Sequence, residues 1–326
     1  MFEKKIHIEN PCRLTVSPEK HWSRYPSVIL SQEGNYCMSW YRYPPPESAI
    51  PCSIYFCKGS DRLDSIATRT PIQVIDDGRN HSGATLCQDG FGQYHLAWHC
   101  WPQRKGGRYL LSARSSDGVA WPTPVQLLPQ ITEYMIYPSL TCHPSGRFWL
   151  TFSAGVGPGS SFYLSSHVYL TSSKEGKLWE TPVWLPTARE GDNKSTLAVD
   201  PTGRNLVVVW RYLMGETYGL RWSSTVDGCR WREPESIEVA CRDVDRPKLS
   251  SDNSGRIWLS YEGDNLIWVC WFDSARGWSQ PILLNTGAST ESRPSALIQN
   301  QKGEYWMAWT SQRDGTEIWA GQVHFE

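Results

Sequence analysis

The sequence predicts an all-β fold, a six-bladed β-propeller of four-stranded blades whose ring is closed by an N-terminal strand. Three observations carry this. An alternating apolar hairpin recurs six times, with turn glycines at Gly34, Gly92, Gly146, Gly203, Gly255 and Gly303 spaced by 58, 54, 57, 52 and 48 residues. A repeat of about fifty residues is the length of one propeller blade. An aromatic stands six residues after most of those glycines, as Trp40, Trp98, Phe152, Tyr261 and Trp309, with Trp210 seven along; a bulky ring at one fixed place in each copy is what packing between neighbouring blades requires. No long stretch places apolar residues at helical spacing, so almost no helix is expected.

Taken in order, the blades fall at about 24–78, 79–133, 134–190, 191–242, 243–289 and 290–326 plus 1–16, as a single domain. Each hairpin is led in by a short polar segment: Tyr25-Pro26-Ser27, His81-Ser82-Gly83, Tyr137-Pro138-Ser139, Lys194-Ser195, Arg246-Pro247-Lys248 and Arg293-Pro294-Ser295. Proline is tolerated at a strand's first residue, where a missing donor costs nothing. The clearest hairpin, 79–100, joins the runs 84–87 and 94–98 through Asp89-Gly90-Phe91-Gly92 and has His81 and His99 at its open ends. A third run follows each hairpin, then a turn rich in Ser, Asp, Gly and Trp, then a fourth run such as Val125-Gln126-Leu127. Tyr43-Pro44-Pro45-Pro46 and 155–159 read as long loops between second and third strands. The sixth copy ends before its fourth strand, so 5–9 or 14–16 is expected to supply it and remove an exposed sheet edge.

Composition excludes several function classes. Lys+Arg 32 against Asp+Glu 33 gives a formal charge of −1, so no global field draws the chain to nucleic acid or an anionic membrane. No window approaches the roughly 18 apolar residues of a membrane span. The ten cysteines form no Cys-x-x-Cys pair, and the first residues, MFEKKIHIENPC, lack the apolar run of a signal peptide. Cys37, Cys87 and Cys142 therefore read as reduced core residues of a cytoplasmic protein. The oligomeric state is left open. Most of the 18 tryptophans sit at repeat positions and read as core anchors.

In a propeller the residues just before each innermost strand form a ring at one mouth of the central channel. Here that rule selects Tyr25, His81, Tyr137, Lys194, Arg246 and Arg293, with the second strands ending beside them at Tyr41 and Arg42, His99, Ser153, Arg211 and Tyr212, Glu262, and Thr310. The cations Arg24, Arg42, Lys194, Arg211, Arg246 and Arg293 face few acids, chiefly Asp192, Asp245 and Glu262. A concave mouth of that kind focuses positive potential, and arginine grips a carboxylate with two parallel hydrogen bonds. The competing reading is that single arginines pair with Asp243, Asp245 or Glu291. His81, His99, Tyr25 and Tyr137 are the candidates for proton transfer. Two histidines without a third ligand do not specify a metal site, and no cofactor is implied.

The turns Ser115-Ser116-Asp117-Gly118 with Trp121, Ser172-Ser173-Lys174-Glu175-Gly176 with Trp179, and Ser224 to Gly228 with Trp231 resemble the Asp-box S-x-D-x-G-x-x-W. The first is a residue short, the second has Lys174 in place of Asp, and the third has its Asp one place late. Through these turns and the six repeats the chain resembles the sialidase-like (BNR) propeller superfamily. Locally, His81-Ser82, the turn at Asp89-Gly90-Phe91-Gly92 and His95-Leu96-Ala97-Trp98-His99 resemble the propeller lyases acting on ulvan and related uronate polymers. That resemblance implies β-elimination, with His81 and His99 as the histidine pair, Tyr137 as the tyrosine and Arg211 as the charge-neutralising arginine, since the nearer strand end is Ser153. Arg24-Tyr25-Pro26 resembles the motif that opens sialidases, with Arg246 and Arg293 completing an arginine triad. The expectation is one central cationic site acting on an acidic, uronate-like oligosaccharide or polysaccharide by lyase-like acid–base chemistry. A sialidase-like hydrolase and a non-catalytic glycan-binding propeller are the alternatives.

Overall fold

The computed structural model describes residues 6–17, 21–45, 50–101, 107–157, 160–200, 202–284, 291–311 and 316–325. Lys5, Pro46 and 158–159, which belong to the expected closing strand and loops, lie outside those residues. Six antiparallel sheets stand in a ring, five built from consecutive strands and the sixth completed by the N-terminal one. Blade 1 comprises Trp22–Leu30, Tyr36–Tyr43, Ser53–Lys58 and Ile72–Gln73, and blade 2 comprises Asn80–Gln88, Tyr94–Trp101, Tyr109–Ser115 and Val125–Leu127. Blade 3 follows as Tyr134–Cys142, Phe148–Gly155, His167–Ser173 and Val183–Trp184, and blade 4 as Asn193–Val199, Leu206–Met214, Thr217–Thr225 and Glu235–Ile237. Blade 5 runs Val244–Ser251, Ile257–Gly263, Leu266–Asp273 and Ile282–Leu283, with Gly277–Trp278 also paired to its third strand. Blade 6 has a broken first strand, Glu291–Ser292 and Ile298–Gln299, then Tyr305–Ser311 and Glu317–Phe325.

Its fourth strand is Ile6–Arg13, antiparallel to Glu317–Phe325 with Ile6 opposite Phe325 and Arg13 opposite Trp319. Of the two candidate segments, the first supplies the strand, and the residues after it fasten the joint. Buried Glu317 accepts hydrogen bonds from Thr15 Oγ1 at 2.5 Å and from the Ser17 backbone N–H at 2.7 Å.

All six turn glycines adopt φ between +67° and +89°, a region open to glycine without steric cost. The fixed aromatics behave as the repeat predicts. Six apolar clusters each straddle one interface between blades and each contains one of them: Trp98 sits among Cys37, Ile54 and Phe56 of blade 1, and Trp309 among Ile267 and Val269 of blade 5. Trp210 lies seven residues after its glycine because its hairpin turn is longer: Asp200 N–H bonds to the Asn205 carbonyl, where Asp89 N–H reaches only Gln93.

Hydroxyls tie the inner strands together around the channel. Ser27, Thr85, Ser139 and Thr196 accept the backbone N–H of Leu86, Leu140, Leu197 and Leu249 in the next blade at 3.1, 3.2, 3.3 and 3.1 Å. At the outer turns, Asp117 Oδ1 accepts the N–H groups of Val119 and Ala120 while Ser115 Oγ accepts that of Gly118. Asp227 and Thr225 repeat this with Cys229, Arg230 and Gly228. The later turn is thus anchored on Thr225, not Ser224, and matches the earlier one residue for residue. Two short helical segments interrupt the β pattern, a 3₁₀ turn at Leu63–Thr68 and an α-helix at Ser160–Ser165.

Candidate active site

Five of the six innermost strands carry a bulge at the same place, where the register slips between Arg24 and Ser27, Ser82 and Thr85, Ile136 and Ser139, Asn193 and Thr196, and Asp245 and Lys248. The first bulged residue is left-handed in every case: Tyr25 (φ +57°), Gly83 (+64°), Tyr137 (+56°), Lys194 (+49°) and Arg246 (+50°), and Arg293 at +52° occupies the corresponding place in blade 6. Non-glycine residues rarely adopt this conformation, and such strain concentrates at sites where a side chain has to be re-aimed. Here it marks the ring at the mouth.

Five of the six expected ring members stand in it. The sixth does not: Gly83 takes the place assigned to His81. His81 lies two residues earlier and is 1% exposed, accepting Trp98 Nε1–H on Nδ1 at 2.9 Å and holding Asp77 Oδ1 with Nε2 at 2.8 Å. Indole is only a donor, so Nδ1 carries the lone pair and Nε2 the proton. Burial pushes this imidazole below its ordinary pKa. Asp192, expected at the mouth, does the same work in blade 4 by accepting Trp210 Nε1–H at 2.7 Å. Both residues hold a blade-interface tryptophan.

His99 is close to the ring but sealed. Its Nε2 pairs with Ser82 Oγ at 2.8 Å, its Nδ1 is buried without a hydrogen bond, and burial drives its pKa well below the usual value. A Cβ at Gly83 would fall 2.9 Å from His99 Cε1, so only glycine fits over this imidazole. The ring packs edge-on to Tyr137 at 6.3 Å.

The remaining residues converge. The Tyr137 and Tyr163 hydroxyls hydrogen-bond at 2.9 Å, with Lys194 Nζ 5.2 and 5.4 Å from the two ring centroids. Lys194 Nζ donates to Asp245 Oδ1 at 2.5 Å, and Arg211 Nη1 and Arg246 Nη1 reach the same carboxylate at 3.3 and 2.9 Å. Arg246 also bonds Glu262 Oε2 at 2.7 Å and Tyr25 Oη at 3.0 Å, and the Arg293 guanidinium lies 5.2 Å from the Tyr25 ring. Tyr41 stacks on Tyr25 at 5.4 Å. Burial pushes Asp245 up, but Lys194, Arg246 and Arg211 outweigh it and hold the carboxyl at about 2. Burial also lowers Lys194 to about 8 against the pull of Asp245, and raises Tyr137 well above a normal phenol. The mouth therefore contains four cations, Lys194, Arg211, Arg246 and Arg293, around two carboxylates, Asp245 and Glu262. Among the described residues these cations outnumber the carboxylates they touch.

Two expected cations rest on aromatic rings and make no ion pair with Asp245 or Glu262 among the described residues. Arg24 rests on Trp22, 4.6 Å from its ring, and Arg42, one residue past Tyr41 and so on the opposite sheet face, rests on Tyr55 at 4.5 Å. Tyr163 was not anticipated. It comes from Ser160–Ser165, which has no counterpart among the described residues of the other repeats, and the one local signal is the aromatic pair Phe162-Tyr163 inside a serine-rich loop.

By sequence the chain matches no family model and no curated protein. Its structure is similar to that of a Dyadobacter fermentans protein of unknown function, with 17% identity, a TM-score of 0.76 and coverage of 98% of this chain and 99% of the other. It is similar to the Penicillium chrysogenum α-L-arabinanase complexed with arabinobiose (14% identity, TM-score 0.69, 97% and 98% covered). It is likewise similar to the intramolecular trans-sialidase of Ruminococcus gnavus in complex with oseltamivir carboxylate (12%, 0.67, 92% and 94%). These neighbours bear on the sialidase side of the sequence resemblance, and the lyase side rests on the hairpin residues alone. At such identities the likeness is one of fold, and the chain has the six-bladed β-propeller fold that sialidases and arabinanases share.

Proposed function

We propose that this propeller acts on an acidic, uronate-like sugar bound at the ring mouth. The observation that carries the reading is the surplus of cations around Asp245 and Glu262, next to a phenol pair with a shared hydrogen bond. Arg246 and Arg293 take the sugar carboxylate, and neutralising it stabilises the enolate-like state that forms when the adjacent proton leaves. Asp245, held ionised by three cations, is not a proton donor at neutral pH. Tyr137 keeps its proton and serves as the acid for the departing glycosidic oxygen, while Lys194, at about 8, accepts the proton in the fraction of molecules in which it is the neutral amine, leaving Arg211, Arg246 and Arg293 as the cations of that reactive form. Elimination then breaks the C–H bond beside the carboxylate, forms the double bond and expels the protonated oxygen. His81 and His99 position Trp98 and Tyr137 in this scheme. The carbohydrate and carboxylate ligands of the arabinanase and trans-sialidase neighbours support a sugar at this mouth.

Sialidase-like hydrolysis is the second reading, favoured by the chain from Tyr25 Oη through Arg246 to Glu262, which places a phenol and a carboxylate on one guanidinium. Incubation with uronate and sialyl oligosaccharides separates the readings. Elimination gives ultraviolet-absorbing unsaturated product, and Tyr137→Phe should lower its rate about 100-fold with binding retained. Free sialic acid, with loss on Tyr25→Phe, would establish hydrolysis instead. Binding with neither product would make the protein a lectin.

A further inference from the structure

Beneath the mouth, the central channel opens to the hairpin-turn face as a cavity of about 440 Å³ lined by Ser27, Thr85, Ser139, Thr196 and Lys248. These residues occupy the same place in successive blades, two after the left-handed residue, so their layer lies roughly 7 Å below the ring. Four carry a small hydroxyl, and the fifth is a lysine. Each hydroxyl already accepts a backbone N–H from the next blade, and none donates its proton to an acceptor among the described residues. Lys248 has no carboxylate partner among them either; burial and the neighbouring Arg246 charge push it down to about 8. The cavity's one carboxylate, Asp200, stands at the turn end and is taken up by Thr202, Asn205 and the Arg204 N–H. The channel floor is thus lined by donors that no protein acceptor among the described residues satisfies.

We propose that Lys248 Nζ and the hydroxyls of Ser27, Thr85, Ser139 and Thr196 form a binding site for a small monovalent anion, separate from the mouth. Charge fixes the valence: a single ammonium neutralises a monoanion, whereas a dianion would leave a net negative charge in the channel. The hydroxyls, pinned by the next blade, are held in place to donate to it. The site is independent of the reaction assigned to the mouth.

Bromide is the probe. Crystals of the full chain soaked in sodium bromide should give an anomalous peak in contact with Lys248 Nζ, and Lys248→Met crystals should lose that peak while keeping any at Arg246 or Arg293. In solution, replacing methanesulfonate by bromide at fixed ionic strength should raise the Tm of the wild type and leave that of Lys248→Met unchanged. Bromide found only at the mouth, or an empty channel floor, would overturn the proposal, as would phosphate displacing bromide there. Should Lys248→Met not fold, the wild-type soak decides alone.

Discussion

At the ring, five L-residues, Tyr25, Tyr137, Lys194, Arg246 and Arg293, hold a backbone that glycine would adopt freely. Each carries a penalty of about 1–2 kcal/mol, tolerated because it turns a side chain off the sheet face into the mouth. Arg293 offers the cleanest test. Arg293→Gly and Arg293→Ala both remove the guanidinium, but only glycine relieves the strain, so the glycine variant should be the more stable of the two by about 1 kcal/mol in urea unfolding. Equal stabilities would mean the left-handed residue is not strained. The same positions show what the sequence could reveal. Where proline follows the ring residue, as in Tyr25-Pro26, Tyr137-Pro138, Arg246-Pro247 and Arg293-Pro294, the bulge is legible. Blade 2 has no such mark, and polarity alone points to His81, two residues early, because a glycine with no side chain gives no chemical signal.

At the scale of the element, ring closure depends on pairing the two ends of the chain. The need for a closing strand is legible from the missing fourth run of the last repeat, but both N-terminal runs alternate well enough to serve. What separates them is the latch: Ile6–Arg13 pairs, and the residues after it turn in so that Thr15 and Ser17 can reach buried Glu317. Thr15 Oγ1 also accepts the Ile318 N–H at 3.0 Å, so its hydroxyl is fixed by two successive residues of the Glu317–Phe325 strand. Glu317→Ala strands these donors and should lower stability by about 2–3 kcal/mol, with oligomers appearing in size-exclusion chromatography as the Glu317–Phe325 edge opens. An unchanged Tm would show that the apolar contacts of Ile6 and Leu14 suffice. The helix Ser160–Ser165 escaped prediction for the opposite reason. A repeat exposes what recurs, and the loop that delivers Tyr163 occurs once.

For the molecule as a whole, the formal charge of −1 hides a strong local asymmetry. Radial symmetry brings blades 4 to 6 to one point, so Lys194, Arg211, Arg246 and Arg293, spread over a hundred residues of chain, stand together around the two carboxylates Asp245 and Glu262. Asp245 also limits what their field can do, because three of the cations are already bound to it, so under the proposed function a sugar carboxylate has to compete with Asp245 for Arg246. Attraction of this kind is screened over a Debye length of about 8 Å at physiological salt. The affinity for a uronate oligosaccharide, measured by calorimetry, should therefore fall several-fold between about 0.05 and 0.5 M sodium methanesulfonate, and Arg293→Gln should both weaken binding and flatten that dependence. A neutral oligosaccharide of the same length should show no such slope. If the neutral and acidic sugars bind alike and respond alike to salt, the cations serve only to hold Asp245 and Glu262, and the mouth selects its ligand by its ring of phenols.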